Sequence, residues 1–399
     1  MNRREFVASS SAATLALAAK AARSAPAAAP ARVAKLKLGC QSAPTNDAHL
    51  GYLTRYGVKH ICGYPDIADD RIYATVDELN RMRDLADKHH VTIMCVGPRI
   101  LESSYIDKEK HPAIMLAQSP ERDRDIEALQ TYIRNCAQAG LPSIKYNMSI
   151  LGVLRSGTQP GRGDEMDAVW NLSTAQAKLK AAQPTTDVIV GGHDDTTGKA
   201  MPINQEGTRK AAPGLTIAGH VDADAFWERI TYFLDRIIPV ANEYKIRMAC
   251  HPQDPGVPPE GYMGIDRVLG TVDGLKHFIT IKESPYHGLN FCQGTVSEML
   301  ADPGKEIYDV IRYFGMRDKI FNVHFRNIRG HRNEFVEVFP DEGDVDMVKA
   351  IQTYKEVGYQ YMLMPDHVPT AASDPAGLQS FAFCYGYIRG LIQSVNHTA

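Results

Sequence analysis

Short apolar runs alternate with amphipathic segments along most of the chain. The runs have the length of β-strands and most are continuously apolar, which is typical of parallel strands buried on both faces. They cover residues 35–40, 58–62, 91–96, 144–147, 246–250, 287–292, 320–323 and 361–365. Helical periodicity separates several of them, so the pattern predicts an α/β protein.

Apolar residues recur at helical spacing in four segments. These are residues 77–89, 123–139 and 174–182, and a stretch that begins at Ala223. Thr75 supplies an N-terminal signal for the first helix, and Gly140 a C-terminal stop for the second. Eight strands alternating with helices predict a (β/α)8 TIM barrel, whose catalytic groups come from the C-terminal ends of the strands.

The alternation stops between residues 148 and 222, which are rich in Gly, Thr, Asp and Pro. Apart from the helix at 174–182, this segment is predicted to be irregular. Long irregular segments in compact domains are usually functional loops. Residues 32–399 are therefore expected to form a single barrel domain with a long insertion after strand 4, which serves as a lid over the site or as a subunit contact.

The start of the chain has the pattern of a twin-arginine export signal. Arg3 and Arg4 precede a mildly apolar segment from Val7 to Ala19, and an Ala/Pro-rich linker follows up to Ala31. A disordered basic tail is the alternative interpretation. The signal predicts a periplasmic or otherwise exported protein that folds, and can load a metal, before export.

Composition excludes some classes of function. The formal net charge of −3 gives no reason to expect a nucleic-acid partner. No apolar run of transmembrane length follows the N-terminal segment, so no membrane association is expected after the signal is removed. The seven cysteines are odd in number and include no CxxC, which argues against a disulfide scaffold.

The strongest chemical signal lies at the ends of the last four apolar runs. A potential metal ligand closes each run: His251, Cys292, His324 and Asp366. Any one of them alone would be interpreted as a core residue. Four together, each at the end of a successive strand, predict a metal site. One thiolate, two imidazoles and one carboxylate suit Mn, Fe, Co or Zn.

Five ordered stretches carry a resemblance to a known family. They are 144–147 (IKYN), 248–255 (MACHPQDP), 288–294 (GLNFCQG), 323–328 (VHFRNI) with 343–347 (GDVDM), and 365–367 (PDH). With these stretches the chain resembles the metal-dependent mannonate dehydratases of the xylose-isomerase-like barrels. The resemblance implies one Mn²⁺ or Fe²⁺ bound by the four residues above. It also implies loss of water from a sugar acid to give a 2-keto-3-deoxy product.

This chemistry needs several further groups. A base takes the C2 proton, an acid protonates the leaving C3 hydroxyl, and the metal neutralises the developing enediolate charge. Asp366 and His367 are the nearest acid–base candidates. Arg326 and Asn327 are expected to hold the substrate's carboxylate, although a salt bridge at the barrel rim is an equal alternative for the arginine. Asn147, at the end of strand 4, binds substrate hydroxyls or caps a turn.

The sequence is also compatible with two other functions. Beyond the ligands the chain departs from the family, because Val368 and Pro369 follow His367 where the family has glycine and arginine. A metal-dependent sugar isomerase or epimerase would use the same enediolate stabilisation. A non-catalytic periplasmic sugar-acid binder would need only the ligands. A sugar acid is the expected small-molecule partner, with mannonate as the family's default, and homo-oligomer formation is left open.

Overall fold

A computed structural model describes residues 33–68, 70–182, 218–257 and 261–397. The predicted export signal lies outside these residues. In chain order the strands are β1 (Lys37–Cys40), β2 (His60–Gly63), β3 (Thr92–Val96), β4 (Ser143–Asn147), β5 (Gly157–Pro160), β6 (Glu165–Asn171), β7 (Arg247–His251), β8 (His287–Cys292), β9 (Ile320–His324), β10 (Asn327–His331), β11 (Glu334–Val338), β12 (Met362–Met364) and β13 (Thr370–Ala371).

Eight parallel strands close into a barrel in the order β1-β12-β9-β8-β7-β4-β3-β2. The predicted (β/α)8 barrel is therefore confirmed. β4 pairs directly with β7, so the long segment between them leaves the barrel without interrupting it. Because all eight strands run the same way, their C-terminal ends meet at one face of the barrel, where this fold carries its sites.

Helices surround the barrel and cover its outer face. In chain order they are α1 (Asp47–Arg55), α2 (Val76–Lys88), α3 (Ala113–Leu116), α4 (Glu121–Gln138), α5 (Leu172–Ala182), α6 (Ala223–Tyr244), α7 (Val272–Phe278), α8 (Gln293–Ser297), α9 (Pro303–Gly315), α10 (Met347–Glu356) and α11 (Leu378–His397). A capping box formed by Thr75 and Glu78 begins α2, as the sequence predicted. None of the described helices combines the length and the apolar character needed to cross a membrane.

A second, antiparallel sheet corrects the prediction of an irregular segment at 148–222. β6 pairs with β5, β11 and β13, and β11 pairs with β10. Trp170 of β6 is buried and lies in register with Phe335 of β11. No local sequence pattern marks this sheet, because β5 (GTQP) is exposed throughout and β6 pairs with distant parts of the chain. Residues 183–217 of the segment lie outside the described part.

Candidate metal centre

The four candidate ligands converge at the C-terminal face of the barrel. His251, Cys292 and His324 are the last residues of β7, β8 and β9, and Asp366 follows β12 by two residues. Cys292 lies in register with His324, and His324 with Met364 of β12. One ligand atom from each of the four side chains lies within 4.8 Å of the others. The strand pairing therefore brings together the group expected from the sequence.

Contacts with the backbone and between the rings orient the imidazoles of His251 and His324 toward each other. His251 Nδ1 lies 2.6 Å from its neighbour Pro252's carbonyl oxygen, so it carries the ring proton and leaves Nε2 free of hydrogen. His251 Nε2 in turn lies 3.2 Å from His324 Nδ1. Burial lowers the pKa of His251, which favours the neutral, ligating form of the ring.

The amides of Asn290 and Asn322 fit a metal-bound His324. Asn290 Nδ2 lies 3.2 Å from His324 Nε2, and Asn322 Nδ2 donates to Asn290 Oδ1 at 2.9 Å. The buried Asn322 Oδ1 has no hydrogen-bond partner among the described residues. A metal on Nδ1 would leave the ring proton on Nε2. If the oxygen and nitrogen positions of both amides are exchanged, His324 Nε2 can donate to Asn290 Oδ1. Asn290 Nδ2 can then donate to Asn322 Oδ1, which otherwise lacks a partner.

Cys292 and Asp366 supply the negative charge of the centre. Burial raises the pKa of the Cys292 thiol, but Arg326 and His324 outweigh it, and the net pKa lies below the ordinary value. Burial likewise opposes ionisation of Asp366, yet His324 and His367 hold its pKa well below the usual range. A thiolate, a carboxylate and two imidazoles therefore meet here, a donor set that suits a divalent first-row metal.

His367 lies beside the centre, as predicted. Its Nδ1 is 2.7 Å from Glu337 Oε1, and its Nε2 is 3.8 Å from Asp366 Oδ2. The side chain is one-third exposed, at 34%. Burial lowers its pKa, but the carboxylates of Asp366 and Glu337 raise it further, to about 10. Glu337 of β11 thus fixes the ring, and no sequence pattern indicates this contact.

The contacts of Arg326 with protein carboxylates argue against its predicted role in binding the substrate's carboxylate. Its side chain is buried, and its Nη1 donates to Glu298 at 2.8 Å and to Glu337. Its Nη2 donates to Asp254 at 2.8 Å. The guanidinium is thus occupied by protein carboxylates. This matches the alternative prediction of a salt bridge, except that the ion pairs are buried. Gly294 makes room for it, because a Cβ there would lie 2.6 Å from Arg326 Nε.

Asn327 is also buried and its amide is fully hydrogen-bonded within the protein, which argues against its predicted role in carboxylate binding. Its Nδ2 donates to the carbonyl oxygens of Pro340 and Val345, both at 2.9 Å. Its Oδ1 accepts from the backbone N–H groups of Ile328 and Val345. Asn327 therefore holds the loop after β11 against the barrel. A Cβ at Gly343 would lie 2.2 Å from its Cγ, which explains the glycine in that loop.

Asn147 stays a candidate for substrate binding. It ends β4 in register with His251, and both line a small cavity together with Ser103 and Arg267. Two further polar residues, which were not predicted to belong to the site, lie nearby: Gln41 after β1 and Lys145 of β4. Gln41 Nε2 donates to Asp366 Oδ1 at 2.6 Å, and Lys145 Nζ donates to Gln41 Oε1 at 2.9 Å.

Comparison with known proteins places this architecture. The model of the family described as D-mannonate dehydratase matches residues 75–399. A mannonate dehydratase of Geobacillus thermodenitrificans is 30% identical over 350 residues, which cover 85% of this chain and 90% of the relative. One from Thermotoga petrophila is 27% identical over 286 residues, covering 69% of this chain and 77% of the relative.

Solved structures share the fold. The crystal structure of mannonate dehydratase from Streptococcus suis superposes with a TM-score of 0.67 at 19% identity, covering 90% of this chain and 94% of that one. A xylose isomerase domain protein from Planctomyces limnophilus gives a TM-score of 0.53 at 12% identity over 91% and 99% of the two chains.

Fold and site together define an α/β barrel with side chains that could hold a metal at its strand ends. Within that class the chain belongs to the D-mannonate dehydratase family, because the family model covers most of its length. It is a hydro-lyase that acts on a sugar acid. The family expected from the five sequence stretches is confirmed.

Proposed function

We propose that the chain removes water from D-mannonate, or from a closely related aldonate, to give the 2-keto-3-deoxy acid, with Mn²⁺ or Fe²⁺ held by His251, Cys292, His324 and Asp366. One observation supports the proposal most strongly: these four ligands converge within 4.8 Å, beside His367, whose Nε2 makes no hydrogen bond among the described residues. When bound, the metal would supply Lewis-acid stabilisation of the negative charge that develops next to the substrate's carboxylate.

His367 is the residue that moves protons in this proposal. Glu337 occupies its Nδ1, so Nε2 is the nitrogen left to exchange a proton with the substrate. This nitrogen lies on the Asp366 side of the ring, and the side chain is partly open to solvent. Asp366 has a second role beyond ligation, because its negative charge keeps the imidazolium next to the centre. Asn147 donates to a substrate hydroxyl from the neighbouring strand end.

Incubating the Mn²⁺-loaded chain with D-mannonate tests the proposal. We expect formation of 2-keto-3-deoxygluconate, followed by NMR and by a colour assay for 3-deoxy-2-keto acids. Glutamine in His367→Gln is polar and similar in size to histidine but cannot act as an acid–base group. The kcat of this variant should therefore fall about 100-fold or more, with its metal content unchanged. Absence of any keto-deoxy acid from the wild-type protein would refute the substrate assignment.

The same assay run in D₂O separates dehydration from the isomerase or epimerase alternative. A dehydratase consumes the aldonate and releases water, whereas an isomerase or epimerase returns deuterium to a sugar of unchanged formula. A pure sugar-acid binder would do neither. Repeating the assay with Mn²⁺, Fe²⁺, Co²⁺ and Zn²⁺ identifies the preferred metal, which the donor set alone leaves open.

We also propose export by the twin-arginine pathway, which the paired arginines and the mild apolar segment of the N-terminus support. Changing both Arg3 and Arg4 to lysine should keep the chain in the cytoplasm, because this pathway reads the arginine pair itself. Cell fractionation and immunoblotting measure the outcome. Equal amounts of wild type and double variant in the periplasm would count against the pathway.

A further inference from the structure

Lys145 lies on the inward-facing side of β4. Successive side chains of a strand point to opposite faces, so Lys145 and Asn147 share one face and Tyr146 occupies the other. Tyr146 is buried, and its ring packs against Phe233 of α6 at a centroid distance of 5.5 Å. Tyr146 therefore points toward the helical layer, and Lys145 points into the barrel beneath the metal centre.

Two hydrogen bonds connect Lys145 to the metal centre. Its Nζ donates to Gln41 Oε1 at 2.9 Å, and Gln41 Nε2 donates to Asp366 Oδ1 at 2.6 Å. The ammonium also acts on the neighbouring ligand. Burial lowers the pKa of His251, and the positive charge of Lys145 lowers it further. The cation is therefore beside the ligands but bonded to a neutral amide.

No carboxylate of the described residues lies within salt-bridge distance of Lys145 Nζ. Two arginines near the centre differ in this respect. Arg155 and Arg326 each bind Asp254 and Glu337. Arg267 is buried, and its guanidinium donates to backbone carbonyl oxygens. A part-buried cation without an anionic partner is costly unless a ligand supplies the missing charge.

We propose that Lys145 binds the carboxylate of the substrate and makes the site selective for aldonates over neutral sugars. This inference rests on the proposed function. An ammonium has three donors, and the bond to Gln41 uses one, which leaves two N–H groups for carboxylate oxygens. A neutral aldose, ketose or amide cannot neutralise the ammonium, so it would leave this cation partly desolvated and uncompensated. Lys145 thereby takes the role that the sequence had suggested for Arg326.

The test compares Lys145→Met with the wild-type chain, both full length and loaded with Mn²⁺. Methionine keeps the length and apolar stem of lysine but removes the charge. We expect KM for D-mannonate to rise about 10–100-fold, the range for losing a hydrogen bond to a charged group, with a smaller change in kcat. Lys145→Arg should recover part of the affinity. Metal content, measured in parallel, should not change.

A binding measurement separates this inference from the proposed reaction. Calorimetry should show that the wild-type chain prefers D-mannonate over uncharged D-mannonamide by about tenfold or more, and that Lys145→Met removes the preference. If the wild type shows this lysine-dependent preference but forms no keto-deoxy acid, the reaction is wrong and the carboxylate site stands. If the wild type dehydrates D-mannonate and Lys145→Met keeps both its KM and its preference, the carboxylate site is wrong.

Lys88→Met is the matched control. Lys88 ends α2, and the chain passes directly from there into the start of β3, so it lies at the opposite face of the barrel from the centre. Its ammonium is exposed and pairs with Asp47. The substitution makes the same change of net charge, and it should alter neither KM nor the preference for the charged ligand. An equal rise in KM for both variants would indicate a long-range charge effect and overturn the assignment to Lys145.

Discussion

Replacing Cys292 with serine is expected to lower the affinity of the chain for Mn²⁺ at pH 7 by at least about 100-fold, since even the loss of a residue that orients a ligand costs up to this much. The thiol of Cys292 is already biased toward the thiolate by Arg326 and His324. A serine hydroxyl stays protonated at this pH. The centre would lose one of its two negative charges, and dehydration of D-mannonate should fall with metal occupancy.

Equilibrium dialysis against Mn²⁺, followed by elemental analysis, measures the affinity directly. Cys136→Ser is the control, because Cys136 is equally buried but lies on α4, in the helical layer. Circular dichroism and the unfolding midpoint of the metal-free proteins show whether each variant has folded. A folded Cys292→Ser chain that still binds one Mn²⁺ with wild-type affinity would exclude the four-ligand site.

The barrel could be predicted from the sequence because its strands are marked locally. The run at 91–96 contains β3 and the run at 287–292 is β8. Parallel strands covered on both faces must be apolar at almost every position, so each one stands out from its helical neighbours. The ligands could be predicted for a related reason. A polar residue that closes such a run lies at the end of a strand, and all these ends meet at one face.

The second sheet could not be predicted, because its stability comes from pairing between distant segments. Residue 169 of β6 pairs with residue 336 of β11, and neither strand has a sequence pattern that identifies its partner. The prediction of the residues around the centre failed for the same reason. The position of Arg326 just after a ligand suggested a substrate contact, but three carboxylates reach it from separate parts of the chain: Asp254, Glu298 and Glu337.

The cations around the centre have different functions. Arg155 and Arg326 balance Asp254 and Glu337 in a buried ionic cluster. Burial and Asp254 raise the pKa of Glu298 well above its usual value, so this residue contributes less negative charge to the cluster than the other two. The two arginines thereby fix the carboxylate that holds His367. Lys145 contacts the Gln41 amide and the Tyr64 ring but no carboxylate among the described residues, which leaves it as the proposed partner of an external anion.

Replacing Arg326 with methionine is expected to lower the free energy of unfolding by about 3–5 kcal/mol, the usual cost of removing one partner from a buried ion pair. The guanidinium is almost fully buried and bonds to Asp254 and Glu337. Without it, Arg155 and the partly exposed His367 would be the cations left beside both carboxylates among the described residues. Urea unfolding of the metal-free protein at pH 7 measures the loss.

The pH dependence adds a signature that simple loss of packing would not produce. In the wild-type chain burial opposes ionisation of Asp254, but Arg155 and Arg326 hold its pKa well below the ordinary value. Its contribution to stability is therefore complete above the unfolded pKa of about 4 and is lost as the pH falls further. In Arg326→Met the under-compensated carboxylates should bind protons in the folded state. The difference between the two proteins should then narrow as the pH is lowered from 7 toward 4.

Arg312→Met provides the matched control on the surface of α9. Arg312 also pairs with two carboxylates, Asp309 at 3.0 Å and Glu356 at 2.9 Å, but in solvent. Exposed pairs contribute about 0–1 kcal/mol, so this variant should remain within about 1 kcal/mol of the wild type. Adding Glu337→Gln to Arg326→Met should recover part of the loss, since it removes an unpaired buried charge. Equal stability of Arg326→Met and the wild type at pH 7 would contradict the buried ionic cluster and reopen Arg326 as a substrate ligand.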